Sequence, residues 1–393
     1  MTAARGRPEL RTAGYERGIA RRTWERLSAS AHRTCRVRRV VVIGVLVAVA
    51  LAGCGGGDRR SEAERIRSVD EELSTLPDAG PGLGEASPPA DLRAGWKTDF
   101  SKRSVSFDEI MSGGPGKDGI PAIDAPRFVA VQDADFLEDR EPVIELLVEG
   151  EVRAYPIQIL IWHEIVNDEV GGVPVAITFC PLCNTAIVFD RRVDEQTFDF
   201  GTTGNLRNSD LVMYDRQTES WWQQFGGEAL VGELTGVKLE QLPSRIVAWA
   251  DFRREHSGGR VLSRETGFSR PYGENPYAGY DSVDSSPIFP TKNADDDRLP
   301  PKERVVFIER GAEAVAVPFS SLREKKVVRV EVAGSRLIVR WRPGVASSLD
   351  DAQIAAGRDT GAAEVREAGR LVRFDQPFWF AVAAFRPDAR IVR

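Results

Sequence analysis

Short runs of apolar and β-branched residues, separated by turn-forming residues, recur along most of this sequence and constrain its fold more than any other feature. They lie at residues 143–148, 173–179, 186–189, 198–202, 211–214, 304–308, 314–317, 327–332 and 337–341. Because most runs follow one another without a long helical pattern between them, the sequence predicts a mainly β fold of antiparallel sheets, arranged as a barrel or a sandwich. An α+β arrangement is the alternative. Proline in the first turn predicts two short helices, at 156–166 and 377–385.

The sequence up to residue 53 has the pattern of an export signal. Arg36, Arg38 and Arg39 precede an uncharged apolar run at 40–52, which is too short to cross a bilayer as a helix because crossing needs about 20 residues. The run ends in Leu51-Ala52-Gly53-Cys54, which resembles the lipobox of bacterial lipoproteins. The resemblance implies a signal peptide and leader at 1–53, a lipid on Cys54, and a protein held on the extracytoplasmic face of the cell membrane. A short membrane anchor with an unrelated Cys is the alternative.

Residues 54–117 are rich in Gly, Pro, Ser and charged side chains, with breaks at Gly55-Gly56-Gly57 and at 77–89. This composition predicts a flexible tether between the lipid and the body. The folded region is predicted to begin near Asp118 and to form one extracytoplasmic domain over 118–393.

Charge is unevenly distributed along the chain. Because residues 1–39 carry +8 and the whole chain carries −6, the part from Cys54 onward carries −14. Phosphate backbones repel such an acidic body, so the sequence excludes nucleic acid as a partner. The expected partner is the membrane, through the lipid, and a small polar ligand or an envelope redox protein are the other candidates.

The predicted mature chain keeps two thiols for chemistry, because Cys54 carries the lipid and Cys35 leaves with the signal. Cys180 and Cys183 form a C-x-x-C pair directly after an apolar strand, a spacing that suits a disulfide, thiol–disulfide exchange or two sulfur ligands on one metal ion. A disulfide across so short a loop would stabilise the fold by only about 2 kcal/mol, and the pair does not precede a helix that would activate a thiolate. Metal binding is therefore favoured, and the other two hypotheses stay open.

His163 and His256 are the candidates for a third ligand, and His256, in a loop pattern, is the weaker. Two thiolates and one imidazole suit Cu(I), whereas Zn²⁺ prefers a fourth ligand, so the sequence favours copper over zinc. Glu164 follows His163 and would orient the metal ligands without binding the metal itself. This is not a zinc-protease motif, because Asn167 stands where H-E-x-x-H has its second His.

A second polar region follows the Cys pair. Arg207, Asp210 and Asp215 lie close in sequence to Trp221 and Trp222. Charged groups beside aromatic rings are typical of a pocket for a small polar ligand, so Arg207, Asp210, Asp215 and Trp221 are predicted to line one. A hairpin turn without a ligand is the alternative.

An ordered series of short motifs resembles the family called domain of unknown function 3179. The motifs are His163-Glu164-Ile165, Cys180-Pro181-Leu182-Cys183, Asn208-Ser209-Asp210-Leu211, Tyr214-Asp215-Arg216, Leu262-Ser263 and Tyr272-Gly273. The similarity runs from about Asp118 to the C-terminus and implies one domain but no known activity. The chain departs from the family at Arg386, where members often have His, so a metal ligand at that position would be missing.

Three functional hypotheses follow from the sequence. The first is a lipid-anchored envelope protein with a metal or redox site at Cys180, Cys183 and His163. The second is a receptor for a small polar ligand, in which the Cys pair forms a structural disulfide. The third is a β-rich envelope scaffold without chemistry. The sequence predicts no particular reaction, so it leaves open whether the protein is an enzyme.

Overall fold

The computed structural model describes residues 88–393, which all belong to one compact unit. The predicted signal peptide, Cys54 and the first part of the predicted tether lie outside the described residues. Among residues 88–393, no helix combines the length and the apolar character needed to cross a bilayer. The fold is mainly β, with antiparallel sheets in a half-barrel and propeller-like arrangement and a few short helices, which confirms the predicted class.

The structure contains many short strands and five short helices within residues 88–393. The strands of the first part are β1 (Ile110–Ser112), β2 (Phe128–Ala130), β3 (Pro142–Val148), β4 (Glu151–Pro156), β5 (Ile165–Val170), β6 (Val173–Cys180), β7 (Thr185–Asp190), β8 (Arg192–Val193), β9 (Gln196–Thr197), β10 (Phe200–Arg207), β11 (Asp210–Asp215) and β12 (Trp221–Gln223). Those of the second part are β13 (Ala229–Val231), β14 (Gln241–Leu242), β15 (Ser244–Ala248), β16 (Arg260–Leu262), β17 (Val305–Arg310), β18 (Glu313–Pro318), β19 (Val327–Val332), β20 (Ser335–Arg342), β21 (Ala362–Glu367), β22 (Arg370–Leu371) and β23 (Arg390–Ile391). The helices are α1 (Ala90–Arg93), α2 (Ile157–His163), α3 (Trp249–Glu255), α4 (Phe319–Lys325) and α5 (Trp379–Phe385).

Every predicted strand run overlaps an observed strand, whereas the helix predictions need correction. Helix α2 is shorter than the predicted 156–166, because Glu164 adopts φ 59° and the chain enters β5. Helices α3 and α4 were not predicted, although Pro318 precedes α4 just as Pro156 precedes α2. Each of these two helices has only seven residues, so its apolar periodicity is too short to stand out; α2 and α5 are equally short and were predicted from Pro alone.

Two parts of the chain repeat one arrangement, which we call module 1 (142–262) and module 2 (305–391). In module 1 the hairpin β3–β4 leads through Pro156 into α2 and then into the hairpin β5–β6. In module 2 the hairpin β17–β18 leads through Pro318 into α4 and then into β19–β20. Each module ends with a helix and a strand that pairs in parallel, β16 with β4 and β23 with β18. Every other pairing between these strands is antiparallel, and the two C-x-x-C thiols belong to module 1 alone.

One large apolar core joins the two modules. It contains Ile144 and Ile177 from module 1 and Phe307 and Trp379 from module 2. Cys180 and Cys183 belong to this core, so the candidate site lies deep in the protein.

The C-terminal part of the predicted tether is folded, which corrects the predicted boundary. Strand β1 pairs with β10, with Ile110 opposite Arg207. Leu92 and Phe107 are buried in one cluster with Trp221. These apolar residues stand singly among Gly, Pro and Ser, so their contribution to packing did not show in the composition. The body therefore includes residues 90–112, well before Asp118.

Candidate metal centre

The two thiols lie at the tip of the hairpin β6–β7, where a four-residue turn (181–184) joins the strands. Cys180 ends β6, Cys183 lies in the turn, and Asn184 at φ 59° returns the chain into β7. The backbone N–H of Cys183 donates to Cys180 Sγ, which is a contact that stabilises a thiolate. Both Cys residues are almost fully buried and are not bonded to each other. The hairpin thus presents two sulfur atoms to the same point inside the core.

Asp210 completes a group of three ligand atoms. It begins β11 and is fully buried, and the Cys183 thiol donates to its Oδ1 at 2.9 Å. The sulfur atoms of Cys180 and Cys183 and one oxygen of Asp210 all lie within 4.8 Å of one another. The other oxygen, Oδ2, accepts from Gln223 Nε2 at 2.5 Å and from the Phe225 backbone N–H at 2.9 Å. These two bonds hold the carboxylate towards the thiols.

No positive charge compensates this group. Within residues 88–393, no Lys, Arg or His forms an ion pair with Asp210 or Glu164 (the salt bridges of the described chain lie elsewhere). Burial raises the pKa of Asp210 to about 6, although its hydrogen bonds oppose the shift. Burial also raises the pKa of the Cys180 thiol and holds that of Cys183 well above its ordinary range. At neutral pH the group therefore consists of two protonated thiols and one carboxylate without a counterion.

Glu164 adds a second buried carboxyl group beside the first. It follows α2 in a left-handed conformation, and its backbone oxygen accepts from the Phe179 N–H at 2.8 Å, one residue before Cys180. Burial, together with the smaller effect of the nearby Asp210 charge, raises the pKa of Glu164 to about 8. Among residues 88–393, no group forms a hydrogen bond with the Glu164 side chain. Glu164 is therefore mostly a neutral acid at neutral pH, close enough to Cys180 to affect the pKa of that thiol.

A chain of neutral polar groups positions the hairpin turn. Cys183 Sγ lies 2.9 Å from Thr185 Oγ1, which donates to Gln224 Oε1 at 2.7 Å. Gln224 in turn donates to Thr178 Oγ1 at 2.9 Å. Sequence reasoning missed these residues, because Thr and Gln in a strand carry no pattern that distinguishes a buried network from a solvated face.

His163 does not join the sulfur ligands, which corrects the predicted ligand set. Its Nδ1–H donates to the Pro121 carbonyl at 2.7 Å, so Nε2 accepts from the Tyr272 hydroxyl, also at 2.7 Å. Burial lowers the pKa of His163, so the ring is neutral and both nitrogens are engaged. The reason is geometric: His163 is the last residue of α2 and Glu164 is the turn after it, so the two side chains point in different directions.

His256 lies in a separate group that already holds a cation. Its Nε2 is 3.3 Å from Glu145, and Glu255 completes the group. The Arg245 guanidinium binds both Glu145 and Glu255, with distances of 2.8 and 2.9 Å. The positive charge that a metal would supply there is therefore already present, and His256 is not a ligand of the Cys pair.

The four residues of the predicted polar pocket do not line one cavity. Asp215 is fully buried, where it accepts from Trp222 Nε1 and caps a turn at Thr218. Trp221 is fully buried in an apolar cluster. Arg207 pairs with Glu109 and lines a cleft at the surface, whereas Asp210 belongs to the thiol group. Arg207 and Asp210 lie opposite each other on β10 and β11, and Gln223 joins their side chains.

Comparison with known families decides where this chain belongs. The model of the family described as "Protein of unknown function (DUF3179)" matches residues 117–389. The chain belongs to this family. The DUF3179 match covers module 1, the candidate centre and module 2 up to its last strand, in agreement with the extent predicted from the motifs. Comparison with curated proteins and with solved structures found no similar protein.

Proposed function

We propose that this DUF3179 protein is a lipid-anchored protein of the cell envelope that holds a metal ion at Cys180, Cys183 and Asp210. The observation that carries the proposal is the convergence of two thiols and one carboxylate in a buried place without a cation. A buried carboxylate costs several kcal/mol unless a positive charge or hydrogen bonds compensate it, and the hydrogen bonds to Asp210 compensate this cost only in part, because its pKa stays raised to about 6. A divalent cation would supply that charge and would lower the pKa of both thiols, so that they bind as thiolates.

The duplicated module supports a functional reason for the second buried carboxyl group. Lys326, the residue after α4, has φ 64° and ψ −32°, and Glu164, the residue after α2, has φ 59° and ψ −31°. Lys326 is exposed, whereas Glu164 is buried. The turn itself therefore requires neither an acidic nor a buried side chain, and the burial of Glu164 is specific to the module that carries the thiols.

The donor set favours Zn²⁺ over Cu(I). Two thiolates alone suit Cu(I), but a carboxylate oxygen is a hard ligand that Zn²⁺ accepts and Cu(I) disfavours. Three ligands from the protein would leave a fourth position for water or a substrate, as in catalytic zinc sites. The sequence favoured copper because it placed His163 in the ligand set, and the position of Asp210 is what shifts the proposal to zinc.

Thiol–disulfide exchange is the second candidate, and one contact favours it. The Cys183–Asp210 hydrogen bond would let the carboxylate accept the thiol proton. Exchange also needs an accessible thiolate, and here both thiols are buried and have raised pKa values. Metal binding requires neither exposure nor a free thiolate, so it fits the geometry better.

Metal analysis of the purified full chain tests the proposal. We expect about one zinc per chain in the purified wild type, and little or none in purified Cys183→Ser and Asp210→Asn, because each variant binds zinc more weakly. Asp215→Asn is the matched control, because Asp215 lies at the other end of the same strand and is equally buried. Free thiols are counted in the same samples. A metal-free wild type with a readily reduced disulfide would replace the proposal with exchange, and one with a permanent disulfide would favour a scaffold.

The lipid anchor is tested separately from the metal. The motif Leu51-Ala52-Gly53-Cys54 and the apolar run before it support the proposal. In a bacterial host we expect the wild type in the membrane fraction with an added diacylglyceryl mass, and Cys54→Ser without that mass. Recovery of unmodified wild type from the soluble fraction would contradict the anchor.

A further inference from the structure

A surface cleft lies close to the candidate centre, on the side of Asp210. Two neighbouring cavities share the side chains of Phe225, Lys238 and Glu309, and the larger has a volume of about 270 Å³. Gln223 and Phe225 line this larger cavity, and these same residues donate the two hydrogen bonds to Asp210 Oδ2. One layer of residues therefore separates the cleft from the thiol group.

Basic side chains dominate the lining of the cleft. Five basic and three acidic side chains line the two cavities, although the part of the chain from Cys54 onward is acidic. Lys238 and Arg373 form no ion pair with any residue in 88–393. Two other cations, Arg207 and Lys292, share a single carboxylate oxygen of Glu109, at 2.7 and 2.9 Å.

The remaining charged side chains of the cleft are one cation and three acids. Arg386 pairs with Glu309, which lines the cleft, and with Asp388, which lies outside it. Glu228 is an exposed acid at the rim, and Asp375 lies in the smaller cavity, where it accepts a hydrogen bond from Gln241. The lining side chains therefore carry an excess of two positive charges, and Lys238 and Arg373 are the two cations without an ion pair in residues 88–393.

The floor of the cleft is aromatic. The rings of Phe225 and Phe385 stack with their centroids 4.7 Å apart and 13° between their planes. The Arg207 guanidinium lies 5.5 Å from the Phe385 ring centroid. An apolar floor under convergent charged groups is typical of small-molecule sites, and about 270 Å³ suits a ligand of roughly metabolite size.

A direct connection links the cleft to the thiols. Arg207 Nη1 donates to Gln223 Oε1 at 3.3 Å, and Gln223 Nε2 donates to Asp210 Oδ2. Asp210 Oδ1 accepts from Cys183. A ligand that changes the contacts of Arg207 would thus act on Gln223, which fixes the carboxylate of the proposed metal ligand.

From this geometry we infer that the cleft binds a small organic anion, a carboxylate or phosphate with a flat apolar body, next to the Cys180–Cys183–Asp210 group. The cations at the rim attract the anionic group and the Phe225–Phe385 floor contacts the body. The role of the cleft as a substrate site rests on the proposed metal centre. Anion binding itself does not, and it can be measured without metal.

The test compares two probes of the same planar shape and opposite charge, benzoate and benzamidinium. Binding to the full chain is followed by calorimetry at low ionic strength, and we expect benzoate to bind and benzamidinium not to bind. We expect Lys238→Glu with Arg373→Glu to weaken benzoate binding by about tenfold or more, because both charges act at short range across the cleft. Added salt should weaken binding as well, since exposed charges are screened over about 10 Å at 0.1 M salt.

A control pair separates local from global charge. Arg329→Glu with Arg336→Glu changes the net charge equally at two exposed residues on β19 and β20, which form no ion pair with residues 88–393. This pair should leave benzoate affinity within about twofold. Equal losses in both double variants, equal binding of benzamidinium, or no benzoate binding in the wild type would each overturn the inference.

A metal-free variant keeps the two proposals distinguishable. Cys183→Ser removes a proposed ligand without touching the cleft. Benzoate binding that persists in this variant supports the cleft whatever the metal analysis shows. Zinc bound by the wild type without any benzoate binding overturns the cleft alone, and benzoate binding by a wild type that never takes up zinc overturns the metal centre alone.

Discussion

The pH dependence of zinc binding is the most informative consequence of the proposed centre. Before metal binds, the Cys180 and Cys183 thiols are protonated, because burial raises both pKa values above the ordinary 9.0. Asp210, with a pKa of about 6, is mostly ionised at pH 7. Zinc must therefore displace two protons, one from each thiol.

The charge of the group gives the expected magnitude. One Asp210 carboxylate carries −1 before binding, and Zn²⁺ with two thiolates and that carboxylate also carries −1. Because the net charge is the same, the Glu164 proton, with a pKa of about 8, is not displaced. Two displaced protons increase affinity about 100-fold per pH unit, or about 2.7 kcal/mol, between roughly pH 6.5 and 8. Below pH 6 the slope rises towards three as Asp210 takes up a proton.

Competition with a chelator of known zinc affinity at a series of pH values measures this slope, and calorimetry in buffers of different ionisation enthalpy counts the protons directly. We expect a slope of about one for Cys183→Ser, because one thiol is gone. Asp210→Asn should bind zinc more weakly and keep a slope of two below pH 6. Asp215→Asn should match the wild type. A wild-type slope of one or less at neutral pH would refute the assignment of two protonated thiols as ligands.

Three further predictions concern residues around the centre. His163→Gln should lower the unfolding free energy by about 1–3 kcal/mol through loss of buried hydrogen bonds while leaving zinc content unchanged; lost zinc at unchanged stability would restore His163 as a ligand. Burial raises the pKa of Asp375 from 3.8 to about 7, so the folded state holds its proton more tightly, and this contribution to stability is full below about pH 4 and is lost as pH rises through 7. Asp375→Asn should remove up to about 4 kcal/mol of that pH dependence in urea unfolding, and a wild-type profile would contradict the burial argument. Gly204→Ala should cost about 2 kcal/mol or more, because φ is 76° and the new Cβ would lie 1.9 Å from the Pro115 carbonyl oxygen; Gly150→Ala, at φ 84° with open space around it, should cost less than half as much in the same assay.

The mainly β class and the positions of nine strands were predictable, because short apolar and β-branched runs and turn residues act locally. Helices α3 and α4 were not predicted, since seven residues are too few for a helical periodicity to show; the equally short α2 and α5 were predicted from their Pro residues alone. The folded stretch at 90–112 was missed for a related reason. Residues such as Leu92 and Phe107 are isolated in sequence, and only their contact with β11 and β12 makes them part of a core.

The candidate centre likewise has features that follow from local sequence and features that depend on long-range contacts. The pairing of Cys180 with Cys183 follows from their spacing, because three residues of a tight turn bring two side chains together whatever the rest of the fold does. The third ligand depends on a long-range contact: Asp210 approaches Cys183 across 27 residues because β10, β11 and β12 fold back against the hairpin. Sequence placed Asp210 in a ligand pocket and His163 at the metal, and the structure places Asp210 beside the thiols and turns His163 towards Pro121.

The sequence by itself determined the class of fold, the family and the chemical identity of the two sulfur atoms, because all of these depend on patterns of residues close together in the chain. Tertiary structure decided which carboxylates lie near the thiols, that no cation among residues 88–393 forms an ion pair with them, and that a basic cleft lies one layer of residues away. The physical reason is that burial and charge compensation depend on what packs around a group, and packing joins residues that are distant in sequence.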